Sequence, residues 1–326
     1  MTKATDAMQR VLARFPDAKL TVEPTPIYRL QRLSGCTGHN IYIMRDDLTG
    51  FAIGGNKVRK LDFLIADALA RKADTLLTSK ASNFSRNAAA AASVFGLDIH
   101  VIVAGTEAGQ NNASQALFKQ FGARLHYCGA LEEAAMSVTY ARTLASLKSD
   151  GKNVYELHPG GSDAIGSLGY LKAFDQIVRY SVSTGIHFNR IIHSTGSAAT
   201  QVGLILGQTI SGYDTAIIGM AAAQPANRQT AKIRDLLVST AEMLGTDVAR
   251  SRIIVDDRFV GPGYAVPSAA GIAASALFAT KEGVLLDDVY SGKAAAGLMS
   301  YVETGRLDEQ GNVLFIHTGG NGGQYY

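Results

Sequence analysis

The chain has 326 residues, of which 47% are hydrophobic and 18% charged, with a formal net charge of +3 and a pI of about 8.7. This length favours two compact units, and the composition is typical of a soluble globular protein, which excludes a disordered chain. Lysine and arginine are scattered without a basic run, so the sequence predicts neither a nucleic-acid partner nor a membrane surface.

The sequence also contains no segment that predicts membrane insertion or secretion. No window approaches the roughly 18 consecutive apolar residues that a membrane span requires. The first 19 residues place Lys3, Asp6 and Arg10 among their apolar positions, which is not the pattern of a signal peptide. We therefore expect a cytoplasmic protein.

Cysteine and histidine usage gives little sign of cross-links or metal ligands. The only cysteines, Cys36 and Cys128, are expected to be buried free thiols in a reducing compartment, with a single disulfide as the alternative. The seven histidines are dispersed, and no cysteine–histidine set has the spacing of a metal site. The sequence therefore predicts no local metal site.

The first half of the chain alternates apolar strands with helices. After a proline-containing N-terminal segment, the pattern predicts strands at 40–44, 75–78, 99–103 and 124–128. The helices predicted between and after them lie at about 57–71, 82–96, 112–121 and 131–148. Apolar strands separated by helices of this length are typical of a parallel sheet covered on both faces.

Residues 158–163, with the sequence HPGGSD, interrupt this pattern, and a second series of the same kind follows them. Its strands are predicted at 190–193, 216–220, 253–255 and 313–317. Its helices are predicted at about 165–181, 199–211, 226–244, 267–281 and 290–303. The predicted fold class is therefore α/β, with two αβα units of mostly parallel sheet and a ligand cleft beyond the carboxyl ends of the strands.

The segment at 54–61, GGNKVRKL, places Lys57 directly after two glycines and at the start of a helix. Glycines allow a tight turn at that junction. Lys57 is either an ordinary solvated lysine or a desolvated amine that can form a Schiff base with a carbonyl compound. These eight residues do not decide between the two interpretations.

The segment at 194–203, STGSAATQVG, follows an apolar strand and begins a helix. Small residues at a helix N-terminus let several backbone N–H groups converge on an anion. The segment has neither the dinucleotide fingerprint nor the P-loop pattern. It predicts either a plain strand-to-helix turn or a cradle for one phosphate, with Ser197 and Thr200 adding hydroxyls.

Four other segments hold residues that have both structural and functional interpretations. Ser82 and Asn83 are either a helix cap or ligand contacts. Tyr264 and Tyr290 lie beside turns and are either packing residues or groups facing a ligand. Thr318 ends the last strand, where it either closes the sheet or faces the cleft.

Taken together and in this order, these motifs resemble the pyridoxal-phosphate enzymes of the tryptophan-synthase-β fold, in the D-cysteine desulfhydrase and 1-aminocyclopropane-1-carboxylate (ACC) deaminase branch. The resemblance runs from the PTP segment at 24–26 and the RDD segment at 45–47, through 54–61, to the HTGG segment at 317–320. The segment at 54–61 followed by a Ser-Asn turn is specific to that branch. The implied cofactor is pyridoxal 5′-phosphate (PLP).

The resemblance implies that Lys57 bonds covalently to the cofactor and that Lys60 contacts its phosphate. It implies that Asn83 lies against the 3′ oxygen and that Thr318 reaches the pyridine nitrogen. Ser82 would lie near the substrate carboxylate or near the bond being cleaved. Tyr264 and Tyr290 would flank the substrate. The phosphate loop implied by the resemblance consists of Thr195, Gly196, Ser197, Ala198, Ala199 and Thr200.

The family's architecture implies a small domain over residues 60–165 and a large PLP-binding domain made of 1–59 and 166–326. It also implies a homodimer with the cofactor between the two domains of each chain.

Two positions depart from the family's pattern. Ser291 stands where the deaminases have a glutamate after the tyrosine, so no carboxylate there would keep the pyridine nitrogen protonated. A shallower electron sink suits loss of a β-substituent better than ring opening. Lys80 lies in a shortened turn before Ser82. It is either a solvated lysine or a selector for a second anionic group, such as a sulfonate or carboxylate on the substrate's β-carbon.

The leading hypothesis is a PLP-dependent lyase that removes a β-substituent from a small amino acid and yields a keto acid and ammonia. In this hypothesis Lys57 removes the α-proton, and Tyr264 or Tyr290 protonates the leaving group. The alternatives on the same site are ACC-deaminase-like ring opening and β-replacement. A non-catalytic PLP-binding protein and a dinucleotide-dependent oxidoreductase are alternatives of other classes.

Overall fold

The computed structural model describes residues 3–107, 113–307 and 311–320. Its small sheet has four parallel strands in the order β5-β4-β3-β6. These strands are β3 (Thr75–Ser79), β4 (Asp98–Val103), β5 (Arg124–Tyr127) and β6 (Val154–Glu156). The helices that accompany them are α4 (Asn83–Phe95), α5 (Ala113–Gln120) and α6 (Glu133–Ser149).

The large sheet has six strands in the order β1-β2-β10-β7-β8-β9, and only the β1–β2 pair is antiparallel. These strands are β1 (Ile27–Arg29), β2 (Asn40–Arg45), β7 (Phe188–Thr195), β8 (Ala216–Ala221), β9 (Ile254–Asp256) and β10 (Asn312–His317). The remaining helices are α1 (Lys3–Leu12), α2 (Gln31–Thr37), α3 (Asn56–Ala70), α7 (Ala164–Thr184), α8 (Ala199–Ser211), α9 (Ala226–Leu244), α10 (Ala269–Glu282) and α11 (Ser291–Glu303). Two layers of buried side chains cover this sheet, one on each face.

This architecture confirms the predicted α/β class with two mostly parallel sheets. Every predicted strand and helix is present, although part of the helix expected at about 112–121 lies outside the described residues. The sequence analysis predicted neither helices α1 and α2 nor strands β1 and β6. The two strands were missed because three residues are too few to show a period. Each predicted domain contains all strands of one sheet, while its boundaries at 60 and 165 stay a prediction.

The predicted burial of the two cysteines was wrong. Both are free thiols, but Cys36 is exposed and Cys128 is only partly buried. Cys36 lies on the short helix α2 near its C-terminal end, where the helix faces solvent.

Helix α7 crosses α3 and α8 at positions where no side chain would fit. A Cβ atom at Gly169 of α7 would lie 2.3 Å from the backbone oxygen of Arg59 on α3. A Cβ atom at Gly203 of α8 would lie 2.3 Å from the backbone oxygen of Ser167 on α7. These contacts bring the N-terminal turns of α3 and α8 to the same edge of the large sheet.

A buried ion pair joins α3 to the N-terminal segment. The Arg59 guanidinium donates to both carboxylate oxygens of Asp46, at 2.9 and 2.8 Å, and to the hydroxyl oxygen of Thr25 at 2.7 Å. Tyr170 of α7 donates to the same carboxylate at 2.5 Å. Both charged side chains are almost fully removed from water, and Arg59 has a second partner in Glu23 at 3.1 Å, so loss of Arg59 would leave the Asp46 carboxylate buried without a cation.

We expect Arg59→Met to lower the free energy of unfolding by about 3–5 kcal/mol, because the Asp46 carboxylate would be left buried without its cation. Arg71→Met is the matched control. Arg71 is the C-cap residue of the same helix and pairs with Asp67 at 2.9 Å, but its side chain is 65% exposed. Arg71→Met should lower the free energy of unfolding by less than about 1 kcal/mol. Urea titration of both variants measures the difference, and equal costs would contradict the role given to the buried pair.

Candidate active site

A cavity of about 520 Å³ lies between the two sheets, beyond the carboxyl ends of β3, β7, β8 and β10. Most of the segments that line it follow those strands or begin α3, α4 and α8, and the rest of the lining comes from residues 159–160 after β6, Lys232 of α9, Tyr264 and Tyr290. The sequence-predicted residues on its surface are Lys57, Lys80, Ser82, Asn83, Gly196, Ser197, Ala198, Thr200, Tyr264, Tyr290 and Thr318. Two other concavities, of about 720 and 530 Å³, contain none of these residues.

The backbone before α3 is held in one position by contacts with two neighbouring segments. Gly54 and Gly55 have φ angles of +72° and +94°, and a Cβ atom at Gly54 would lie 2.3 Å from the backbone oxygen of Asp47. The N–H of Asn56 donates to the backbone oxygen of Thr318 at 2.9 Å. This turn places Lys57 in the first turn of α3, with its side chain on the cavity surface.

The amines of Lys57 and Lys60 share one dry corner of the cavity. The Lys60 ammonium, which is fully buried, donates to the backbone oxygen of Gly160 at 3.0 Å and to the Ser197 hydroxyl at 3.2 Å. Removal from water lowers the pKa of Lys57 from 10.5 to about 8, and the charge of Lys232 adds to this effect. Burial and the neighbouring Lys57 charge lower the pKa of Lys60 as well.

The loop between β7 and α8 faces these two lysines. Ala198 has a φ angle of +77°, a left-handed conformation that costs about 1–3 kcal/mol for a residue with a side chain. The first N–H groups of α8 are therefore turned toward the corner, where the helix dipole favours an anion. Ser194 has a buried hydroxyl oxygen with no protein partner among the described residues.

Two residues of the predicted phosphate loop do not reach the cavity surface. Thr195 turns its hydroxyl toward Gln229, which donates to it at 3.2 Å, and Ala199 is buried within the first turn of α8. Thr200 accepts from the side-chain amide of Asn56 at 3.2 Å while remaining on the surface. The described loop therefore presents residues 196–198 and 200 to a ligand.

The predicted helix cap at Ser82 is present and also lines the cavity. Ser82 is the N-cap of α4 and forms a reciprocal capping box with Ser85. The side-chain oxygen of Asn83 accepts a hydrogen bond from Arg86. Lys80 has a φ angle of +71°, and its ammonium lies 3.5 Å from Glu133 in an exposed ion pair. Ser82 therefore both caps α4 and faces the cavity.

The two predicted tyrosines form a pair across the cavity mouth. The hydroxyl oxygens of Tyr264 and Tyr290 are 2.6 Å apart, so one hydroxyl donates to the other. Burial and the neighbouring Tyr264 raise the pKa of Tyr290, which keeps its proton in place at neutral pH. Tyr264 is 57% exposed and has access to solvent.

Sequence reasoning missed two buried residues that position this pair. Asp287 accepts from the backbone N–H groups of Tyr290 and Ser291, each at 2.8 Å, and from the Ser291 hydroxyl at 2.5 Å. The Lys293 ammonium donates to the backbone oxygens of Val260 and Gly263, each at 2.8 Å. An acidic residue just before a helix is a recognisable cap signal, whereas nothing local in the sequence marks a buried lysine.

Residues 18–319 match the sequence profile of a family described as pyridoxal-phosphate dependent enzyme. This chain belongs to the pyridoxal-phosphate-dependent enzymes. The D-cysteine desulfhydrase of Serratia proteamaculans (strain 568) is 38% identical to it over 320 residues, with 96% of each chain covered. The D-cysteine desulfhydrase of Salmonella typhi is 38% identical over 317 residues, with 95% of each covered.

Solved structures give the same assignment of fold. The structure of an ACC deaminase homologue has a TM-score of 0.89 and 34% identity, with 99% of this chain and 96% of that chain covered. A threonine deaminase isoform 2 from Solanum lycopersicum, at 16% identity, shares the fold with a TM-score of 0.71 over 98% of this chain and 85% of that chain. These relatives confirm the predicted family and cofactor, and family membership decides against the dinucleotide-dependent oxidoreductase.

The cavity suits PLP in both charge and shape. A phosphate dianion fits the corner formed by Lys60, the N-terminal turn of α8 and the unpartnered Ser194 hydroxyl. Gly160 leaves no room for a side chain there, because a Cβ atom would lie 2.7 Å from that of Ser197 and 3.9 Å from the Lys57 amine. Lys57 is then the amine that can react with the aldehyde.

Because only the neutral amine attacks an aldehyde, the pKa of about 8 at Lys57 predicts the pH dependence of PLP attachment to the apoprotein. The second-order rate should rise tenfold per pH unit up to about pH 8 and level off above it. An ordinary lysine would level off near pH 10.5. Stopped-flow absorbance measures the rate, and Lys57→Arg is the unreactive control. A rate still rising above pH 9.5 would contradict the role given to burial.

We expect Gly160→Ala to weaken PLP binding by tenfold or more, because the added methyl group would push the Ser197 loop out of place. Gly151→Ala is the matched control, since Gly151 has a similar φ of +78° but nothing within 4 Å of an added Cβ. Both variants should lose about 1–2 kcal/mol of stability from the left-handed backbone. Fluorescence titration with PLP and urea unfolding measure the two effects, and similar PLP affinities would rule out the steric explanation.

Proposed function

We propose that the protein catalyses α,β-elimination from a small amino acid with a β leaving group, and releases a keto acid and ammonia, as a D-cysteine-desulfhydrase-like lyase. The observation that carries the proposal is the placement of a desolvated lysine, an anion-binding loop and a proton-donating tyrosine pair around one cavity. Relatives named D-cysteine desulfhydrase support it across nearly the whole chain.

PLP, when bound, supplies the electron sink that stabilises the substrate's α-carbanion. Lys60 and the α8 N-terminus would hold its phosphate, and Thr318, which is also on the cavity surface, would reach the pyridine nitrogen. With PLP and substrate bound, the Lys57 Nζ atom would take the α-proton. Burial lowers its pKa to about 8, so a larger fraction of this amine is the free base near neutral pH than for an ordinary lysine.

The N-terminal turn of α4 is the proposed site of the substrate carboxylate. The Ser82 hydroxyl and the first N–H groups of α4 lie on the cavity surface, and the helix dipole there favours a negative charge. Asn83, next in the turn, is positioned to contact the cofactor's 3′ oxygen or the same carboxylate.

The tyrosine pair is proposed to hold the proton that the leaving group takes up. Tyr290 keeps its proton because burial raises its pKa, and its hydrogen bond to Tyr264 provides a path by which solvent can restore that proton. A thiolate or similar group would therefore leave the β-carbon as a neutral molecule. Lys293 and Asp287 act as positioning residues for this pair through the backbone.

Ring opening of the ACC-deaminase type is the second candidate function, because a solved ACC deaminase homologue matches the fold closely. Ser291 argues against it. Its hydroxyl is buried and donates to Asp287, so this position supplies no carboxylate to protonate the pyridine ring. β-Replacement and PLP binding without catalysis remain further outcomes of the same assays.

We also propose a cytoplasmic homodimer, as the family resemblance implies. One face of α10 supports a partner, because Ala269, Ala270, Ile272, Ala273 and Ala276 are exposed together there, with Thr280 at the C-terminal end of the same face. Among the described residues, no helix has the length and hydrophobicity needed to cross a membrane.

The proposal is tested by supplying the PLP-loaded protein with D- and L-amino acids that carry β leaving groups and measuring keto-acid release. Lys57→Ala should reduce turnover by several orders of magnitude and remove the visible absorbance of the lysine-attached cofactor. Lys119→Ala, at an exposed lysine far from the cavity, is the control. A Lys57→Ala protein that retains colour and full activity would refute the proposed role of this amine.

A further inference from the structure

The cavity carries positive charge that the cofactor does not use. The described residues on its surface include Lys57, Lys80 and Lys232, but none is Asp or Glu. Lys57 serves the cofactor's aldehyde, and Lys60, just beneath the surface, serves its phosphate. Lys80 and Lys232 are left at the mouth, facing the space that a bound amino acid would occupy.

These two lysines approach the mouth from opposite sides. Lys80 lies on the turn after β3 in the small sheet, and Lys232 lies on α9 beside the large sheet. The Lys232 ammonium donates to the backbone oxygen of Gly196 at 3.3 Å, which anchors it at the rim of the phosphate loop. Burial lowers the pKa of Lys232, and the charge of Lys80 lowers it further, as expected for two cations that face each other.

Lys80 forms only a weak ion pair, and its own backbone conformation is strained. Its ion pair with Glu133 spans 3.5 Å, and the two side chains are 54% and 84% exposed. Such a pair contributes little, so a ligand can replace it. The left-handed φ of +71° is unfavourable for any residue with a side chain. A lysine at this position therefore costs folding stability that a glycine would not.

We infer that the substrate's leaving group is itself an oxyanion, held between Lys80 and Lys232. This inference rests on the proposed elimination and names its substrate class: β-sulfonate, sulfate-ester or phosphate-ester amino acids. A carboxylate on the β-carbon does not qualify, because it cannot depart with the bonding electron pair. Two ammonium groups in a partly dry cleft would both select the dianionic substrate and stabilise the departing anion.

The step balances without an oxidant or reductant. The Lys57 amine takes the α-proton, and the electron pair of that bond forms the double bond between the α and β carbons. The bond from the β-carbon to sulfur or oxygen breaks, and its electron pair leaves with sulfite, sulfate or phosphate. Water then converts the released enamine to a keto acid and ammonium.

The experiment compares kcat/KM of the PLP-loaded protein for both enantiomers of 3-sulfoalanine, O-phosphoserine and 3-chloroalanine. The wild type should prefer one of the two anionic substrates over 3-chloroalanine. Lys80→Met and Lys232→Met should each lower that preference by tenfold or more, as expected for loss of a charge-assisted hydrogen bond. Lys119→Met is the matched control, because Lys119 forms a similar exposed ion pair with Glu107 at 2.8 Å.

Binding of an unreactive analogue gives a second readout that does not require turnover. The affinity for 3-sulfopropanoate, measured by calorimetry, should fall by tenfold or more in each cleft variant and stay unchanged in Lys119→Met. An equal loss for 3-chloroalanine and the anionic substrates would overturn the inference. So would a Lys232→Met protein that binds PLP more weakly but, once saturated with PLP, keeps the wild-type substrate preference. Absence of any elimination, with 3-sulfopropanoate still bound through both lysines, would refute the proposed reaction instead.

Discussion

The site depends on the close crossing of three helices. Gly169 and Gly203 let α7 touch the backbones of α3 and α8, and any side chain at either glycine would separate them. This spacing places the Lys60 ammonium within 3.2 Å of the Ser197 hydroxyl, so that the lysines of one helix and the anion-binding loop of another form a single corner. The buried pair of Arg59 and Asp46 then prevents α3 from turning about its own axis.

The electrostatics of the cavity follow from this geometry. Burial lowers the pKa of both Lys57 and Lys60, the charge of Lys57 lowers the pKa of Lys60 further, and the charge of Lys232 lowers that of Lys57. A phosphate dianion relieves the charge at Lys60, whereas the amine of Lys57 is left as a nucleophile and base. The same burial that makes these lysines unfavourable for folding is therefore what makes them useful for PLP chemistry.

Most of the fold was predictable because its signals are local. The apolar runs of β7 and β10, and the Ser82 and Gly96 boundaries of α4, identify strands and helices without any tertiary information. The short strands β1 and β6 were missed, since they are stabilised by pairing with β2 and β3 rather than by their own sequences. The prediction that Cys36 is buried was wrong, because residue type says little about which face of a short helix is exposed to solvent.

The same distinction between local and tertiary signals applies to the residues of the candidate site. The sequence by itself determined the α/β class, and the segments GGNKVRKL and STGSAATQVG identified the family, because the turns that hold a reactive lysine and a phosphate require small residues at fixed spacing. Only the tertiary structure decided that Thr195 turns away from the cavity, that Lys293 and Asp287 support the tyrosine pair, and that Lys232 faces Lys80. These residues are brought together from distant parts of the chain by packing, and no local pattern encodes which way their side chains point.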